Sequence, residues 1–290
     1  MRYYLLPGPN GEADRSLVAA TGTAAYDLTA VNPDLRSVAD LAMAADLVDA
    51  DLDAVAEGLL GDAPAVDTDR LGDAAAPRPD EVWAAGVTYE ISEQAREAES
   101  GMPEIYLDVY ESERPELFFK ATPDRVVGPG EAVGVRADSD WNVPEPELGV
   151  VLYRGSIVGY TVGNDVSSRA IEGENPLYLP QAKTYDRCCA LGPCVASPAT
   201  VGDPHDLAMS MTIERDGEAV FEDGTSTAEM VRTCEELVDW YRRHNSVPRT
   251  AVLLTGTSLV PPDEFTLRAG DEVTIEIEDV GTLRTPVRTV

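Results

Sequence analysis

The chain has 290 residues, 43% of them hydrophobic, which is enough to bury a full core in one large domain or in a small and a large one. It carries 53 acidic and 22 basic side chains, a formal net charge of -31, and this charge repels nucleic-acid phosphates and anionic membrane surfaces. Nucleic acids and membranes are therefore excluded as partners.

The acidic residues are spread along the chain and alternate with apolar ones, so they do not form a disordered acidic tail. We interpret the pattern as halophilic, because at about 1 M salt the Debye length is near 3 Å and self-repulsion is screened. Arginine supplies all the basic residues except Lys120 and Lys183. Because a lysine can lose its proton and an arginine cannot, we expect Lys183 to be needed chemically, unless the two lysines are chance survivors on the surface.

Residues 1–76 are predicted to form a small mixed α/β domain. The segment MRYYLLP has the composition of a strand. Residues 37–60 place apolar side chains at helical spacing with acids between them, which predicts one or two acidic surface helices. Pro77 and Pro79 lie in a predicted linker over 72–81, so the second domain is expected to span residues 77–290.

From about residue 81, short β-like segments recur between glycines and prolines, and they predict a mainly β domain and an α+β fold class. The segments are 116–121, 124–130, 147–163, 208–223, 251–257 and 271–287. The pair Asp216-Gly217 predicts a hairpin turn. Ser226 and Glu229 have the spacing of a capping box, which predicts a helix over residues 230–244.

The four cysteines, Cys188, Cys189, Cys194 and Cys234, lack the paired spacing of a zinc site. We interpret them as small buried thiols in a reducing compartment. The chain opens without a basic and apolar leader and contains no apolar run of about 18 residues. These features predict a soluble, cytoplasmic protein.

Two carboxylates, Glu145 and Glu147, lie two residues apart in WNVPEPELGVV, so in an extended segment both point to the same face. Pro144 and Pro146 indicate an edge or a bulge, where a site can open. Asp165 follows at the predicted end of the next strand, and antiparallel pairing would bring all three carboxylates together. Three such oxygen ligands suit Mg²⁺, with Mn²⁺ as the alternative, although the glutamates would also be ordinary surface acids in so acidic a chain.

Five motifs in order resemble the fumarylacetoacetate hydrolase family over residues 80–290. They are PEPELGVVL, GYTVGNDVSSR, AKTYD, LLTGT and LRAGDEVTIEIEDVGTLRTPV. The resemblance implies that Glu145, Glu147 and Asp165 hold Mg²⁺, that Lys183 is the catalytic lysine of the family, and that the loop Thr255, Gly256 and Thr257 binds the substrate carboxylate. Residues 171–187 are similar to the dehydratases of the family that act on 2-keto-3-deoxy-pentonates.

The same resemblance implies roles for other polar residues. Arg169 and Glu172 match a polar pair that follows the metal aspartate, and Tyr89 matches a substrate-binding position. Glu116 matches a second acid–base group of the dehydratases. By alternation, Lys120 shares a strand face with Glu116, which makes it a candidate structural or site lysine.

One departure from the family concerns histidine. Hydrolases of the family activate water with a histidine–glutamate pair after a strand end, which here corresponds to residues 83–100 and contains Tyr89 and Glu90 but no histidine. The two histidines of the chain, His205 and His244, are interpreted as structural or surface residues. A dehydratase is therefore favoured over a C–C bond hydrolase.

The implied reaction converts a 2-keto-3-deoxy-pentonate to 2,5-dioxopentanoate in oxidative pentose degradation. Lys183 would take a C3 proton made acidic by the metal-bound keto acid, and Glu116 would protonate the leaving C4 hydroxyl. A Schiff base at Lys183 stays open. The other open functions are an acylpyruvate hydrolase that uses Glu90 or Glu116, a keto-acid decarboxylase or tautomerase, and a non-catalytic keto-acid binding protein. A small-molecule 2-keto sugar acid is the expected partner, and the chain is expected to form a homo-oligomer.

Overall fold

Strands dominate the computed structural model, which describes residues 1–8, 11–89, 109–110 and 112–290. The strands are β1 (Arg2–Gly8), β2 (Gly11–Thr21), β3 (Ala24–Asp27), β4 (Ala65–Val66), β5 (Glu81–Gly86), β6 (Glu116–Ala121), β7 (Val126–Val127), β8 (Val133–Val135), β9 (Asn142–Val143), β10 (Pro146–Tyr153), β11 (Ser156–Asp165), β12 (Ser167–Ser168), β13 (Cys189–Ala196), β14 (Ala208–Arg215), β15 (Glu218–Ser226), β16 (Thr250–Leu254), β17 (Glu272–Ile277) and β18 (Gly281–Thr289).

The α-helices of the described residues are short, with at most 11 residues. The α-helices are α1 (Leu28–Val31), α2 (Val38–Val48), α3 (Leu52–Leu60), α4 (Arg169–Glu174), α5 (Leu179–Lys183), α6 (Pro198–Val201) and α7 (Cys234–Arg242). Single 3-10 turns span Thr68–Asp73, Pro123–Arg125, Pro176–Tyr178 and Thr227–Glu229.

A large mixed sheet has the strand order β4-β3-β2-β1-β13-β11-β10-β16-β5-β6, with β7 paired to β13 as its eleventh strand. A second sheet has five strands in the order β15-β14-β17-β18-β8, and β12 pairs with β9. These sheets confirm the α+β class. Strand β1 pairs with β13, so one sheet holds strands from both predicted segments. The boundary between residues 1–76 and 77–290 stays a prediction.

Strand β10 lies at the centre of the molecule and is buried on both faces. Leu148 and Val150 face the core formed with the five-stranded sheet and α7. Val151 and Tyr153 face the other way, into the core formed with α2 and α3. Because the side chains of β10 alternate between its two faces, this strand contributes to both cores. The polar residues at the start of β10 and the end of β11 lie outside these cores and can form a site.

The predicted start of the helix near residue 230 is wrong. Ser226 caps only the 3-10 turn, where its Oγ accepts a hydrogen bond from Ala228 N at 3.1 Å. The helix α7 begins seven residues later, where Thr233 Oγ1 accepts from Glu236 N at 3.1 Å. The segment between them is not helical, because Val231 N donates to Thr88 O at 2.8 Å instead of joining a helix.

Two local predictions are confirmed. Asp216 and Gly217 have φ values of 54° and 81° and form the turn between β14 and β15, as the left-handed pair of such a hairpin requires. The four cysteines are all free and buried. They pack as small apolar side chains.

Candidate metal centre and active site

Three buried carboxylates meet where β10 begins and β11 ends. Pro146 pairs with Asn164, and Asp165 N donates to Glu145 O at 2.9 Å, so the hairpin register brings Glu145 and Asp165 side by side. Oxygens of Glu145, Glu147 and Asp165 all lie within 4.8 Å of one another. In the part of the chain that the structure describes, no other three His, Cys, Asp or Glu side chains form such a group. The predicted meeting is confirmed, and the ligand roles stay a prediction.

The triad concentrates negative charge in a site that water does not reach. Burial raises the pKa of Glu147 well above its usual range, and the charges of Asp165 and Glu145 raise it further. One local donor compensates: Gly256 N donates to Glu147 Oε2 at 2.6 Å. The remaining repulsion favours a site that holds a cation.

Lys183 supplies one such cation from the end of α5. Its Nζ lies 2.6 Å from Glu145 Oε2, 3.4 Å from Asp165 Oδ2 and 2.7 Å from Ser167 Oγ. The ring of Phe118 lies 5.5 Å from the same nitrogen. Lys183 is fully buried, so its interpretation as a chance survivor on the surface is wrong.

Lys120 is also fully buried and binds the other side of the triad. Its Nζ lies 2.5 Å from Asp165 Oδ1 and donates to Val166 O at 2.9 Å and to the backbone carbonyl of Lys183. Burial lowers the pKa of Lys120, but the charge of Asp165 more than offsets this effect, so the pKa is raised overall. Lys120 is therefore a cation that holds one carboxylate of the triad and the backbone of Lys183.

Arg169 and Glu172 lie in α4, next to the triad. Ser168 Oγ caps this helix by accepting from Ile171 N at 3.3 Å. Arg169 Nη2 lies 2.9 Å from Glu145 Oε1, and Arg169 Nε lies 4.0 Å from Glu172 Oε2. Glu145 therefore has one oxygen on Lys183 and the other on Arg169, which fixes its orientation.

The loop after β16, residues 255–257, lies against Glu147. Gly256 has a φ of 86°, and a Cβ at this position would lie 2.0 Å from Thr88 Oγ1, so only glycine fits. Thr88 Oγ1 in turn donates to Thr255 O at 2.6 Å. Thr257 and Gly256 line a narrow cavity of about 20 Å³ together with Glu147. The other residues that line it are Ala85, Gly86, Val87, Glu145, Arg169, Ser258 and Val260.

Glu116 is the first residue of β6, the strand that also carries Phe118 and Lys120. Two residues further along the strand, Phe118 contacts Lys183, and two further still Lys120 contacts Asp165. Phe119 points to the opposite face. Glu116 pairs with Gly86 across the strands and lines a larger cavity of about 540 Å³, whose wall also contains Glu172 and Arg114. The face shared by Glu116 and Lys120 stays a prediction, because the pairing of β6 with β5 shifts by one residue at Lys120.

Tyr89 is fully buried and forms a bridge with Met230. Burial raises the pKa of Tyr89, and the nearby charge of Glu147 raises it further. Tyr89 is thus a neutral side chain close to the triad. Glu90, the alternative water-activating residue, lies outside the described residues.

The histidines lie elsewhere. His205 Nε2 accepts a hydrogen bond from Cys234 N at 2.9 Å, so it caps the start of α7. His244 is exposed and follows the end of α7 with a φ of 59°. Both positions fit the structural or surface roles predicted for them.

Sequence reasoning missed two side chains that support the triad. Ser167 Oγ donates to Asp165 O at 2.9 Å and accepts from Lys183, and Asn164 Oδ1 accepts from Glu145 N at 3.1 Å. Both flank Asp165 in GYTVGNDVSS. A run of polar residues at the end of a buried apolar strand was the signal that would have identified them.

Comparisons with known proteins place these residues in a family context. The family profile described as "Fumarylacetoacetate (FAA) hydrolase C-terminal" matches residues 81–288. The chain is 61% identical over 279 residues to "Probable 2-keto-3-deoxyxylonate dehydratase" of Haloferax volcanii, covering 96% of each chain. It is 45% identical over 216 residues to "2-dehydro-3-deoxy-D-arabinonate dehydratase" of Saccharolobus solfataricus, covering 72% of each.

A solved structure has the same fold along the whole chain. It is "2-keto-3-deoxy-D-arabinonate dehydratase complexed with magnesium and 2,5-dioxopentanoate", with a TM-score of 0.85 and 35% identity, covering 100% of this chain and 99% of that one. At 30% identity over 225 residues, the chain is also similar to "Oxaloacetate tautomerase Fahd2a, mitochondrial" of Rattus norvegicus, covering 71% of this chain and 66% of the relative. Among the described helices, none combines the length and apolar character needed to span a membrane.

Proposed function

This chain belongs to the fumarylacetoacetate hydrolase family, and we propose that it is a magnesium-dependent dehydratase that converts a 2-keto-3-deoxy-pentonate to 2,5-dioxopentanoate. The observation that carries the proposal is the contact of the Lys183 ammonium, at 2.6 Å, with Glu145 of the buried triad. This arrangement places a group capable of proton transfer beside a metal site. The similarity to two dehydratases of 2-keto-3-deoxy-pentonates supports the substrate class.

The residues present fit magnesium. Glu145, Glu147 and Asp165 offer hard oxygen ligands within 4.8 Å of one another, which is the donor set that Mg²⁺ prefers, with Mn²⁺ as the alternative. Burial is the largest cause of the raised pKa of Glu147, and repulsion by Asp165 and Glu145 adds to it; a divalent cation would relieve that repulsion. When bound, Mg²⁺ would polarise the keto and carboxylate oxygens of the substrate and so make its C3 protons acidic.

Lys183 is the proposed base for the C3 proton. Glu145, Asp165 and Ser167 fix the position of its Nζ, and the contact with Phe118 excludes water from one side. An arginine would supply the same charge but could not give up its proton. The base must be a neutral amine, and a divalent cation bound by Glu145 and Asp165 would favour this form over the ammonium that pairs with them.

Glu116 is the proposed acid for the leaving hydroxyl. It lines the larger cavity together with Glu172, and two residues further along β6 Phe118 contacts Lys183. Loss of the C3 proton and of the protonated C4 hydroxyl releases one water and leaves a C3–C4 double bond. A proton then moves from C5 to C3, which leaves an enol across C4 and C5, and transfer of the enol hydroxyl proton to C4 makes C5 the aldehyde of 2,5-dioxopentanoate. Arg169, Glu172, Tyr89, Gly256 and Thr257 are proposed to bind and orient the substrate.

The decisive experiment gives the purified protein a synthetic 2-keto-3-deoxy-pentonate and measures aldehyde formation, with Mg²⁺ and with EDTA. We expect turnover that requires the metal. Oxaloacetate is the matched comparison, because the similarity to an oxaloacetate tautomerase favours a tautomerase as the second candidate. If the protein tautomerises oxaloacetate but forms no aldehyde from the pentonate, the tautomerase becomes the better-supported function. Cleavage of an acylpyruvate would instead indicate a hydrolase.

We further propose that the protein works as a halophilic homo-oligomer in the cytoplasm. The net charge of -31 supports the salt requirement, and four buried free thiols suit a reducing compartment. Light scattering in about 2 M KCl measures the mass in solution, where the halophilic state is expected. A mass equal to the 31.1 kDa chain would contradict the oligomer.

A further inference from the structure

The segment 230–232, which precedes α7, holds two separate parts of the chain, one next to the narrow cavity and one that lines the larger cavity. On one side, Val231 N donates to Thr88 O at 2.8 Å, and Met230 forms a bridge with Tyr89. Thr88 in turn binds the loop of Gly256. Through Thr88, the segment therefore supports the loop of Gly256, which lines the narrow cavity.

On the other side, Arg232 holds the residues that lead into β6. Its Nη2 donates to Ser112 O at 2.5 Å, and its Nη1 donates to Glu113 O at 3.2 Å. Glu236, in the first turn of α7, accepts from Nη1 at 2.5 Å and so fixes the guanidinium. The Arg232 side chain is only 10% exposed. Because one planar guanidinium binds two successive carbonyls, the backbone at Ser112 and Glu113 is fixed in position relative to α7.

A second contact fixes the next residue. The guanidinium carbon of Arg114 lies 4.7 Å from the centre of the Trp240 ring on α7, a distance typical of a cation–π interaction. Ser112 Oγ also donates to Arg114 O at 2.7 Å, which closes a turn over 112–114. Pro115 follows and restricts the backbone, so the direction in which the chain enters β6 is set before Glu116.

Strand β6 needs such support because it is the edge strand of the large sheet. It pairs with β5 on one side and, among the described strands, with none on the other. The first residue of β6 is Glu116, which pairs with Gly86 at the end of the ladder. Ladder ends fray unless another contact holds them. The carbonyls bound by Arg232 lie three and four residues before this point.

The geometry points to Arg232 as a positioning residue for Glu116: by holding Ser112 O and Glu113 O against α7, it sets where the Glu116 carboxylate lies in the larger cavity. This inference rests on the proposed role of Glu116 as the acid of the dehydratase reaction. Arg232 itself does not touch the reacting atoms. A displacement of about 1 Å at a catalytic group can cost on the order of 10² in rate, so loss of Arg232 should be visible in turnover.

A double-mutant cycle tests the coupling. We expect Arg232→Met to lower kcat by about 10- to 100-fold, and Glu116→Gln to lower it by about 10² to 10⁴. In the Glu116→Gln background, Arg232→Met should then change kcat by less than about twofold, because the acid that it positions is gone. Equal proportional losses in both backgrounds, or an unchanged kcat in Arg232→Met alone, would overturn the proposal.

Two controls separate positioning from general damage. Arg243 lies 3.7 Å from the centre of the same Trp240 ring but, among the described residues, binds no carbonyl that precedes β6, so Arg243→Met should leave kcat within about twofold. The Mg²⁺ dissociation constant of Arg232→Met, measured by calorimetry, should equal that of the wild type, because the triad lies on β10 and β11. A loss of Mg²⁺ affinity that matched the loss of kcat would indicate a general structural role instead. Should Arg232→Met not fold, Arg232→Lys replaces it in the same cycle, since it keeps the charge without the fork.

A structural readout does not depend on the substrate. A crystal structure of Arg232→Met should show the Glu116 carboxylate displaced while Glu145, Glu147 and Asp165 keep their separation. An unmoved Glu116 would overturn the proposal even if the enzyme were inactive. Absence of aldehyde formation by the wild type would instead contradict the proposed function, so the two failures are distinguishable.

Discussion

Lys183 Nζ lies 2.6 Å from Glu145 Oε2, so the proposed base and a proposed metal ligand share one carboxylate. The second oxygen of Glu145 is held by Arg169 at 2.9 Å. Asp165 has the same arrangement, with Lys183 near one oxygen and Lys120 on the other. Each of these carboxylates is therefore oriented from two sides, and a change at one residue is expected to affect both metal binding and proton transfer.

The first prediction concerns the metal. Glu145→Gln, Glu147→Gln and Asp165→Asn should each weaken Mg²⁺ binding and nearly abolish turnover, because each removes a charged ligand. Loss of an outer partner of a ligand costs about 10- to 100-fold in affinity, and loss of the ligand itself should cost at least as much. Calorimetric titration with Mg²⁺ measures the affinity, and circular dichroism checks the fold. Any variant with wild-type activity at limiting Mg²⁺ shows that its residue is not a ligand.

The second prediction concerns the buried lysine that the proposed reaction does not use. Lys120→Met removes the cation from Asp165 Oδ1 and leaves a buried charge with less compensation, which should destabilise the fold by about 3–5 kcal/mol. Urea denaturation measures the loss. The matched control is the double variant Lys120→Met with Asp165→Asn, which removes both charges and should recover part of the stability. The loss of stability caused by Asp165→Asn is measured in the wild type and in Lys120→Met. If the two losses are equal, the two residues are not coupled.

Alternation accounts for what could be predicted of this site. Two-residue spacing places Glu145 with Glu147 without knowledge of any partner strand. The hairpin that adds Asp165 required only short-range pairing. The contact of Lys120 with Asp165 could not be predicted in this way, because it joins an edge strand to the centre of the sheet over a long sequence separation.

The helix near residue 230 shows how a local signal can fail. Ser226 with Glu229 and Thr233 with Glu236 have the same capping spacing, and the sequence alone does not distinguish them. The structure uses the second, because residues 230–231 pair with Thr88 and Tyr89. Tertiary pairing of the intervening segment therefore decided where the helix begins, and the same pairing supports the site.

The third prediction concerns salt. With a net charge of -31, the fold should depend on molar salt, because the Debye length falls from about 10 Å at 0.1 M to below about 3 Å at 2 M. The thermal midpoint in about 2 M KCl should exceed that in about 0.1 M KCl. Scanning calorimetry at the two concentrations measures the difference, with sucrose at matched water activity as the control for excluded-solute effects. An equal or higher midpoint at low salt would contradict the halophilic interpretation.

The last prediction concerns Lys183. Lys183→Arg keeps the positive charge beside Glu145 and Asp165 but cannot supply a neutral amine, so turnover should fall by about 10² to 10⁴. A purely electrostatic role would survive this change with most of the activity, and near-normal turnover would therefore exclude the base. The Schiff-base alternative has its own test, because borohydride added during turnover would trap an adduct as a mass increase on Lys183. We expect no adduct, since three acceptors hold the amine toward the carboxylates and the metal supplies the electron sink. A trapped adduct would show that Lys183 acts as a nucleophile and would replace the proposed proton transfer.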